Sequence, residues 1–266
     1  MEERRKKAII RRFSKAAATY DEYALVQKES AAELAAKLPE KFVAASILEI
    51  GCGTGNYTAM LAERFPRARI TALDFAESMV AQARVKCSLP GGITFLCADG
   101  EDFLRTNRQQ FDLITSNATM QWFAAPGAAF CQAARSLAPG GIFLVSLFGP
   151  ATLHELGEGL AEVVAESIAL PAGQFPDGRE IARLAGLCFS RVEVAERVYK
   201  RRYPSLRDLF RHIRKTGTGG YHPHLPLLTR SRQQRLEQWF LGRGGYEVTY
   251  QVFFVVASAT PARAGA

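Results

Sequence analysis

Short apolar runs alternate with segments of helical spacing through most of the chain. From Ser46 to Thr260 each run is followed by polar residues mixed with apolar ones three or four positions apart. This alternation predicts right-handed crossovers and a mainly parallel sheet with helices on both faces, its last two strands forming an edge pair. Strands are predicted over residues 47–50, 70–73, 93–97, 111–117, 142–148, 191–199 and 246–256.

The remaining segments divide the chain into three parts. Residues 8–38 read as helical, with apolar positions from Ile9 to Leu38 before Pro39. Helices are also predicted over residues 57–65, 76–86, 100–106, 124–137, 151–168 and 178–187. Residues 200–245 interrupt the alternation, so we expect an N-terminal helical segment (1–45), a core (46–199 and 246–260) and a helical insertion (200–245) beside the substrate cleft.

A glycine-rich turn follows the first strand. Gly51, Gly53 and Gly55 stand at alternate positions after Glu49, and a helical segment follows at once. Glycine is needed where a ligand lies against bare backbone at the carboxyl end of a strand. Asp74 ends the second apolar run, where a carboxylate can bind a ribose diol. The G-x-G-x-G spacing favours a nucleoside-sulfonium ligand over a dinucleotide.

Together, Glu49-x-Gly51-x-Gly53-x-Gly55, Asp74, Asp99-Gly100 and the strand that begins Phe111-Asp112 resemble the class I S-adenosylmethionine-dependent methyltransferases. That resemblance implies a Rossmann-like seven-stranded sheet and S-adenosylmethionine as cofactor. The loop amides would face the methionine carboxylate and Glu49 would orient the loop or bind the amino group. Asp74 would hold the ribose and Asp99 the adenine amine. The predicted cofactor-binding residues are Tyr20, Gln27, Glu49, Gly51, Cys52, Gly53, Gly55, Asp74, Phe75, Met79, Asp99, Gly100 and Asn117.

A narrower resemblance rests on two further stretches. Phe13-Ser14-Lys15-Ala16-Ala17 with Tyr20-Asp21 and Gln27, and Ser116-Asn117 with Gln121-Trp122, are similar to the malonyl-acyl carrier protein O-methyltransferases of biotin synthesis. The family implies methylation of the free malonyl carboxylate on an acyl carrier protein to a methyl ester. It also implies a helical lid whose Tyr20 and Gln27 reach the methionine end. The alternative for this segment is an amphipathic helix that only packs on the sheet.

A carboxylate acceptor agrees with the residues themselves. It is ionised at neutral pH and needs no general base, and no base stands out in the sequence. Tyr20, Asn117, Gln121 and Trp122 are the predicted catalytic residues. The group that binds the acceptor carboxylate stays open among Arg11, Lys15, His154 and Arg211, with Tyr20 or Trp122 as further donors.

Basic residues give the chain a net charge of +8 and concentrate in the insertion. The candidates for a docking face are Arg201, Arg202, Arg207, Arg211, Arg214 and Lys215. Four of them, from Arg207 onward, fall on one helical face, to which an acidic carrier protein could dock. The alternative is an ordinary solvated face.

The remaining composition narrows the class of protein. Five scattered cysteines without C-x-x-C spacing predict reduced, buried thiols, and no zinc site is expected. No apolar run approaches a membrane span, and the basic N-terminus leads to no apolar signal region, so we expect a cytoplasmic protein. A small-molecule carboxyl methyltransferase of the trans-aconitate type, an RNA methyltransferase and a catalytically silent cofactor-binding subunit remain alternatives. The oligomeric state is open.

Overall fold

A seven-stranded sheet forms the centre of the fold in the computed structural model, which describes residues 2–88, 92–164, 170–219 and 229–258. The strand order is β3-β2-β1-β4-β5-β7-β6. Its strands are β1 (Ser46–Ile50), β2 (Arg69–Asp74), β3 (Ile93–Cys97), β4 (Phe111–Asn117), β5 (Leu137–Phe148), β6 (Arg191–Tyr203) and β7 (Tyr246–Ser258). All pairs are parallel except β5–β7 and β6–β7. The predicted Rossmann-like sheet with an antiparallel edge pair is confirmed.

Helices cover both faces of the sheet. They are α1 (Glu2–Ala16), α2 (Tyr20–Tyr23), α3 (Leu25–Ala36), α4 (Asn56–Arg64), α5 (Glu77–Lys86), α6 (Gly100–Thr106), α7 (Pro126–Arg135), α8 (His154–Val164), α9 (Gly178–Gly186), α10 (Leu206–Lys215) and α11 (Arg230–Leu241). One apolar core includes residues of α3, α4, α8, α10 and α11, and a second includes residues of α6, α7 and α9. The central strands are apolar on both faces because each face is covered.

The N-terminal segment is three helices rather than the continuous helical stretch that the sequence predicted. The Thr19 hydroxyl donates to the Ala16 carbonyl and the Thr19 amide bonds to the same oxygen, which closes a turn after α1. Such local hydrogen bonds of threonine compete with helix continuation. Ala24, fully buried, separates α2 from α3 with a non-helical backbone. The breaks let the segment bend over the strand ends.

The edge strand β6 is longer than predicted. Residues 200–203, which the sequence placed in the insertion, continue β6 and pair with residues 246–249 of β7. β5 pairs with β7 only from Val252 onward, so residues 246–251 have β6 as their one strand partner within the described ranges. Their other edge is met by the loop after β5, where the Leu153 amide donates to the Thr249 carbonyl. The result is a two-stranded ribbon that extends past the parallel sheet and leads into α10.

The prediction of five reduced, buried thiols is wrong. Cys131 of α7 and Cys188, just after α9, form a disulfide. The two helices pack together in the second apolar core, which brings the cysteines into contact. Cys97 is exposed and Cys87 is half-buried, so Cys52 alone among the cysteines is both free and buried.

Within the four described ranges, no helix is long and apolar enough to cross a bilayer. Over the same residues, His, Cys, Asp and Glu side chains form no group that could hold a metal ion.

Candidate active site

Three adjoining cavities lie around the carboxyl ends of β1, β2 and β4. The loop cavity lies over residues 51–54 of the glycine turn. Its other lining residues are Phe13, Tyr20, Gln27, Lys28, Asn56, Tyr57, Asp74, Phe75, Met79, Asn117, Ala118, Thr119 and Trp122. The Asp99 cavity adjoins it and also contains Lys6 and Gly100. The structure therefore brings most predicted cofactor residues together, at the edge where ligands bind in open α/β sheets.

The glycine turn needs its glycines for two different reasons. Gly51, Gly53 and Gly55 all have positive φ angles, of 78°, 53° and 85°. A Cβ on Gly51 would lie 2.1 Å from Thr119 Oγ1, so glycine permits that contact. A Cβ on Gly53 would meet no described atom within 4 Å, and the bare backbone there faces open space. Gly55 caps α4 and lines none of the three cavities.

Asp74 joins the turn to β2. Its Oδ2 accepts from the Gly53 amide at 3.0 Å and its Oδ1 from the Ala76 amide at 2.9 Å. Burial raises the pKa of Asp74 to about 6, although these amides, with that of Phe75, oppose the rise. The aspartate lines both the loop cavity and the Asp99 cavity.

Glu49 lies in β1 and does not line any of the three cavities. Burial, with repulsion from Asp74 in addition, raises the pKa of Glu49 to about 8. Its Oε2 is buried and has no hydrogen-bond partner among the described residues. Two buried carboxyls therefore lie near a site open to ligands, and a cationic ligand would favour their charged forms.

Asp99 already has partners on both of its oxygens. Oδ1 accepts from the Glu101 and Asp102 amides and caps α6, while Oδ2 forms an ion pair with Lys6 of α1. The family resemblance implied that Asp99 accepts from the adenine amine, and the sequence did not indicate these two sets of partners. Lys6 lines the same cavity, so α1 reaches the expected adenine side of the site.

The N-terminal segment is attached to the glycine turn through Asp21. Its carboxylate accepts from Thr54 Oγ1 at 2.5 Å, Asn56 Nδ2 at 2.8 Å and Lys86 Nζ at 2.5 Å. Burial alone would raise the pKa of Asp21, but these three donors hold it below its usual value. The sequence analysis quoted Asp21 within a motif and gave it no role. Its partners come from α4, α5 and the turn between β1 and α4, and no local pattern pairs them.

Tyr20 and Gln27 both line the loop cavity, as the family resemblance implied. Burial raises the pKa of Tyr20, with the charges of Asp74 and Asp21 adding to it, so the phenol stays protonated. Gln27 Oε1 is buried without a hydrogen-bond partner among the described residues. The Phe13 ring lies 6.0 Å from the Phe75 ring and 6.1 Å from the Trp122 ring, and these three aromatic side chains wall the cavity.

Asn117 lines the loop cavity, but its amide is bound within the protein. Oδ1 accepts from Ser30 Oγ at 2.8 Å and Ser146 Oγ at 2.7 Å, and Nδ2 donates to the Gln27 carbonyl at 3.0 Å. These bonds join α3 to β4 and β5. The side chain is therefore in place to position the segment that carries Gln27, rather than to form the acceptor wall that the sequence predicted.

Gln121 and Trp122 occupy different environments. Gln121 is buried, donates to the Ala118 carbonyl at 2.8 Å and lines none of the three cavities, so its expected place in an acceptor wall is wrong. Trp122 lines all three. The backbone between Asn117 and this pair is strained at Ala118, whose φ of 54° is unusual for a residue other than glycine.

The third cavity is mostly apolar and lies beyond Trp122. Its lining residues are Arg12, Trp122, Phe148, Thr152, Leu153, Leu156, Leu160, Leu170, Pro171, Ala172, Phe175, Phe210, Ile213, Thr218, Gly219 and Tyr250. The candidates proposed for the acceptor carboxylate, Arg11, Lys15, His154 and Arg211, line none of the three cavities. Arg12, although exposed, lines the apolar cavity, and helical spacing alone did not indicate which basic side chain of α1 reaches it.

The basic residues of the insertion do not form one surface. Arg201 is half-buried and pairs with Glu29 of α3, while Arg202, the next residue of the strand, pairs with Glu247 at 3.5 Å. Successive strand residues face opposite sides, which separates these two. Arg211 pairs with Asp208 within α10. Arg207 and Arg214 are exposed, and Lys215 is half-buried.

The buried face of α10 carries His212. Its ring lies 5.1 Å from the Tyr203 ring and 6.1 Å from the ring of Tyr23 in α2. Burial, with a smaller contribution from Arg201, lowers the pKa of His212 to about 4, so the imidazole is neutral at pH 7. This aromatic cluster joins the N-terminal segment to the insertion.

Comparisons with known proteins agree with this site. A methyltransferase domain family matches residues 47–141, from β1 into β5. The malonyl-[acyl-carrier protein] O-methyltransferase of Bacillus cytotoxicus is 33% identical over 261 residues, covering 94% of this chain and 90% of the relative. That of Anoxybacillus flavithermus is 34% identical over 255 residues, covering 94% and 96%. The phosphoethanolamine N-methyltransferase 2 of Haemonchus contortus, solved with S-adenosyl-L-methionine, shares the fold at 17% identity, covering 89% of this chain and 53% of that one, with a TM-score of 0.53.

The sheet order, the glycine turn with bare backbone at Gly53 and the buried strand-end Asp74 define a class I S-adenosylmethionine-dependent methyltransferase. S-adenosylmethionine is its cofactor, and the cavity fits it, with open backbone, a buried carboxylate and aromatic walls. Within that class, the chain belongs to the malonyl-[acyl-carrier protein] O-methyltransferase family.

Asp21→Asn should loosen the N-terminal segment. The substitution removes the charge that Lys86 pairs with and weakens the bonds from Thr54 and Asn56. We expect amide hydrogen exchange in α2 and α3 to speed up and the Kd for S-adenosylmethionine to rise about tenfold. Glu22→Gln, at an exposed neighbouring position, is the matched control. Unchanged exchange in α2 and α3 would show that Asp21 does not hold the segment.

Binding of the cationic cofactor should release a proton at pH 7. Glu49, with a pKa of about 8, is mostly protonated there in the free protein, and a bound cation favours its ionised form. The affinity should therefore rise with pH up to about 8. Calorimetry in buffers of different ionisation enthalpy should show nearly one proton released in the wild type and much less in Glu49→Gln. Equal release by both proteins would contradict the assignment to Glu49.

Proposed function

We propose that this protein methylates the free carboxylate of a malonyl group carried by an acyl carrier protein, giving the methyl ester. One observation carries the choice of acceptor: among the described lining residues of the apolar cavity there is no carboxylate and no histidine. An acceptor that arrives ionised needs no general base. The family relationship supports the same acceptor, since the relatives are named for it.

When bound, S-adenosylmethionine supplies an electrophilic methyl group that a carboxylate oxygen can take without any proton transfer. The protein then has to hold the reactants, align them and exclude water. The amides of Gly51, Cys52 and Gly53 already donate to the Leu73 carbonyl and to Asp74 Oδ2. The first turn of α4 would therefore bind the methionine carboxylate, in the manner of a helix N-terminus. Asp74 would bind the ribose, and Tyr20 and Gln27 would close the methionine side.

Lys6 already pairs with Asp99 at the adenine end of the site. The adenine amine would compete with Lys6 for Asp99 Oδ2. Because Lys6 is on α1, occupation of the Asp99 cavity would be coupled to movement of the N-terminal segment. Phe75 and Met79 would pack against the cofactor, and Phe13 and Trp122 would keep water from the methyl group.

The proposed docking face comprises Arg207 and Arg214 of α10, both exposed. α1, which is also rich in basic residues, packs against α10, and both helices contribute side chains to the lining of the apolar cavity. Acyl carrier proteins are acidic, so this face would steer the carrier toward the cavity. Methylation hides the charge of the malonyl group, which would let fatty acid elongation enzymes accept it as a primer for biotin synthesis.

Transfer of labelled methyl groups tests the function directly. Malonyl-acyl carrier protein, malonyl-coenzyme A, trans-aconitate and total RNA are compared as acceptors under the same conditions. We expect the highest kcat/KM with malonyl-acyl carrier protein, and the label should be released by mild base, as a methyl ester requires. Asp74→Ala controls for contaminating activity, because it should lose cofactor binding. Preferential labelling of RNA or trans-aconitate would overturn the proposed acceptor.

Charge reversal tests the docking face. Arg207→Glu together with Arg214→Glu should raise KM for malonyl-acyl carrier protein about tenfold, since exposed charge pairs are individually weak. KM for malonyl-N-acetylcysteamine, which carries no protein, should not change. The control is Arg108→Glu with Arg179→Glu, at exposed positions outside α1 and α10. Equal effects of the two double variants would leave only a general influence of net charge.

A further inference from the structure

The apolar cavity contains one charged side chain. It shares Trp122 with the loop cavity, so an acyl group within it would lie beside the methyl donor. The walls are aliphatic and aromatic side chains with two threonines, and Arg12 is the only ionisable side chain among the described lining residues apart from the Tyr250 phenol. Such a wall suits methylene and ester groups but offers little to a carboxylate.

Arg12 carries a positive charge that no carboxylate of the described residues pairs with. It lies in α1, and its Nη1 is directed at Gly219, where a Cβ would lie 2.8 Å away. Among the described residues no carboxylate forms an ion pair with it, and burial lowers its pKa with no acidic group to offset the effect. Arg12 is exposed to solvent as well as lining the cavity, so its charge costs little as it stands, and an anion in the cavity would gain a charge-assisted hydrogen bond from it.

The position of Arg12 indicates which end of the substrate it would meet. The next residue, Phe13, lines the loop cavity, and its ring lies 6.1 Å from the ring of Trp122. Arg12 and Trp122 line the same apolar cavity, so an anion bound by the guanidinium would lie in the cavity that adjoins the methyl-donor site. The phosphate of the prosthetic arm is the alternative anion, which the test below separates.

We propose that the Arg12 guanidinium binds the acceptor carboxylate and selects acyl thioesters with a second, free carboxyl group. This inference rests on the proposed function. One carboxylate oxygen would accept from Arg12 while the other forms the new bond to the methyl carbon. As that bond forms, the carbon–sulfur bond breaks and its electron pair stays on sulfur, so no proton moves. The ester has lost the charge that Arg12 recognises, and the same contact that selects the substrate releases the product.

Arg12→Gln tests the proposal against Arg11→Gln, which removes the same charge from a neighbour that is exposed like Arg12 but lines none of the three cavities. The acceptors are malonyl-acyl carrier protein, malonyl-coenzyme A and malonyl-N-acetylcysteamine; the last has the carboxylate but no phosphate. Arg12→Gln should raise KM roughly 10- to 100-fold for all three, as loss of a charge-assisted hydrogen bond predicts. Arg12→Lys should restore part of it. The Kd for S-adenosylmethionine should stay unchanged, and Arg11→Gln should behave as wild type toward malonyl-N-acetylcysteamine, which carries no protein.

Direct binding separates this inference from the proposed function. With S-adenosylhomocysteine present, the Kd of malonyl-N-acetylcysteamine is measured by calorimetry for the wild type and Arg12→Gln, alongside thermal unfolding of both. Weaker binding by the variant with unchanged unfolding supports the carboxylate contact even if turnover is absent, which would then refute only the proposed reaction. Equal affinities overturn the role of Arg12. An effect confined to the two phosphate-bearing acceptors would assign Arg12 to the phosphate and also overturn it.

Discussion

The hydrogen bond from the Gly53 amide to the buried Asp74 carboxylate is the contact on which the site depends. It fixes the glycine turn of β1 against the end of β2, and the amides of Gly51 and Cys52 both donate to the Leu73 carbonyl beside it. Held there, the turn exposes bare backbone at Gly53 and directs Thr54 toward Asp21. A buried carboxylate is retained because amides satisfy it, so one interaction sets both the shape and the charge of the cavity.

The N-terminal segment is held to the sheet by polar contacts at three separate strand ends. Lys6 meets Asp99 after β3, Asp21 meets the turn after β1, and the Gln27 carbonyl meets Asn117 at the end of β4. Each contact joins residues far apart in sequence. In addition, α3 packs Val26, Ala31 and Leu34 into the first apolar core. The polar contacts can exchange for water or ligand at little net cost, whereas the apolar packing of α3 cannot.

Sequence reasoning succeeded where a local pattern has one structural meaning. Alternate glycines after a buried strand and an aspartate at the end of the next strand predicted the turn and Asp74, because the chain itself fixes their spacing. It failed where the packing of elements that are distant in sequence decides the outcome. Three features depend on how the helices pack. They are the choice of the arginine of α1 that lines the apolar cavity, the contact between Cys131 and Cys188, and the hydrogen bonds from Ser30 and Ser146 to the Asn117 amide. Likewise, β6 continues to Tyr203 because β7 pairs with it. The end of β6 carries many charged residues, so its hydrophobic periodicity does not predict this extension.

The ribbon formed by residues 198–203 and 246–251 places part of the acceptor cavity on a different structural element from the cofactor site. It extends past the parallel sheet, and in the chain α10 follows one of its strands while α11 precedes the other. Phe210 and Ile213 of α10, which line the apolar cavity, are connected to this ribbon. The glycine turn and Asp74 belong instead to the parallel strands, on the other side of Trp122. Insertions, deletions or substitutions in the segment between the two ribbon strands would change the shape of the acceptor cavity. They would leave the strand-end residues around the glycine turn in place. Such a fold can adapt to a new acceptor through changes in that one segment.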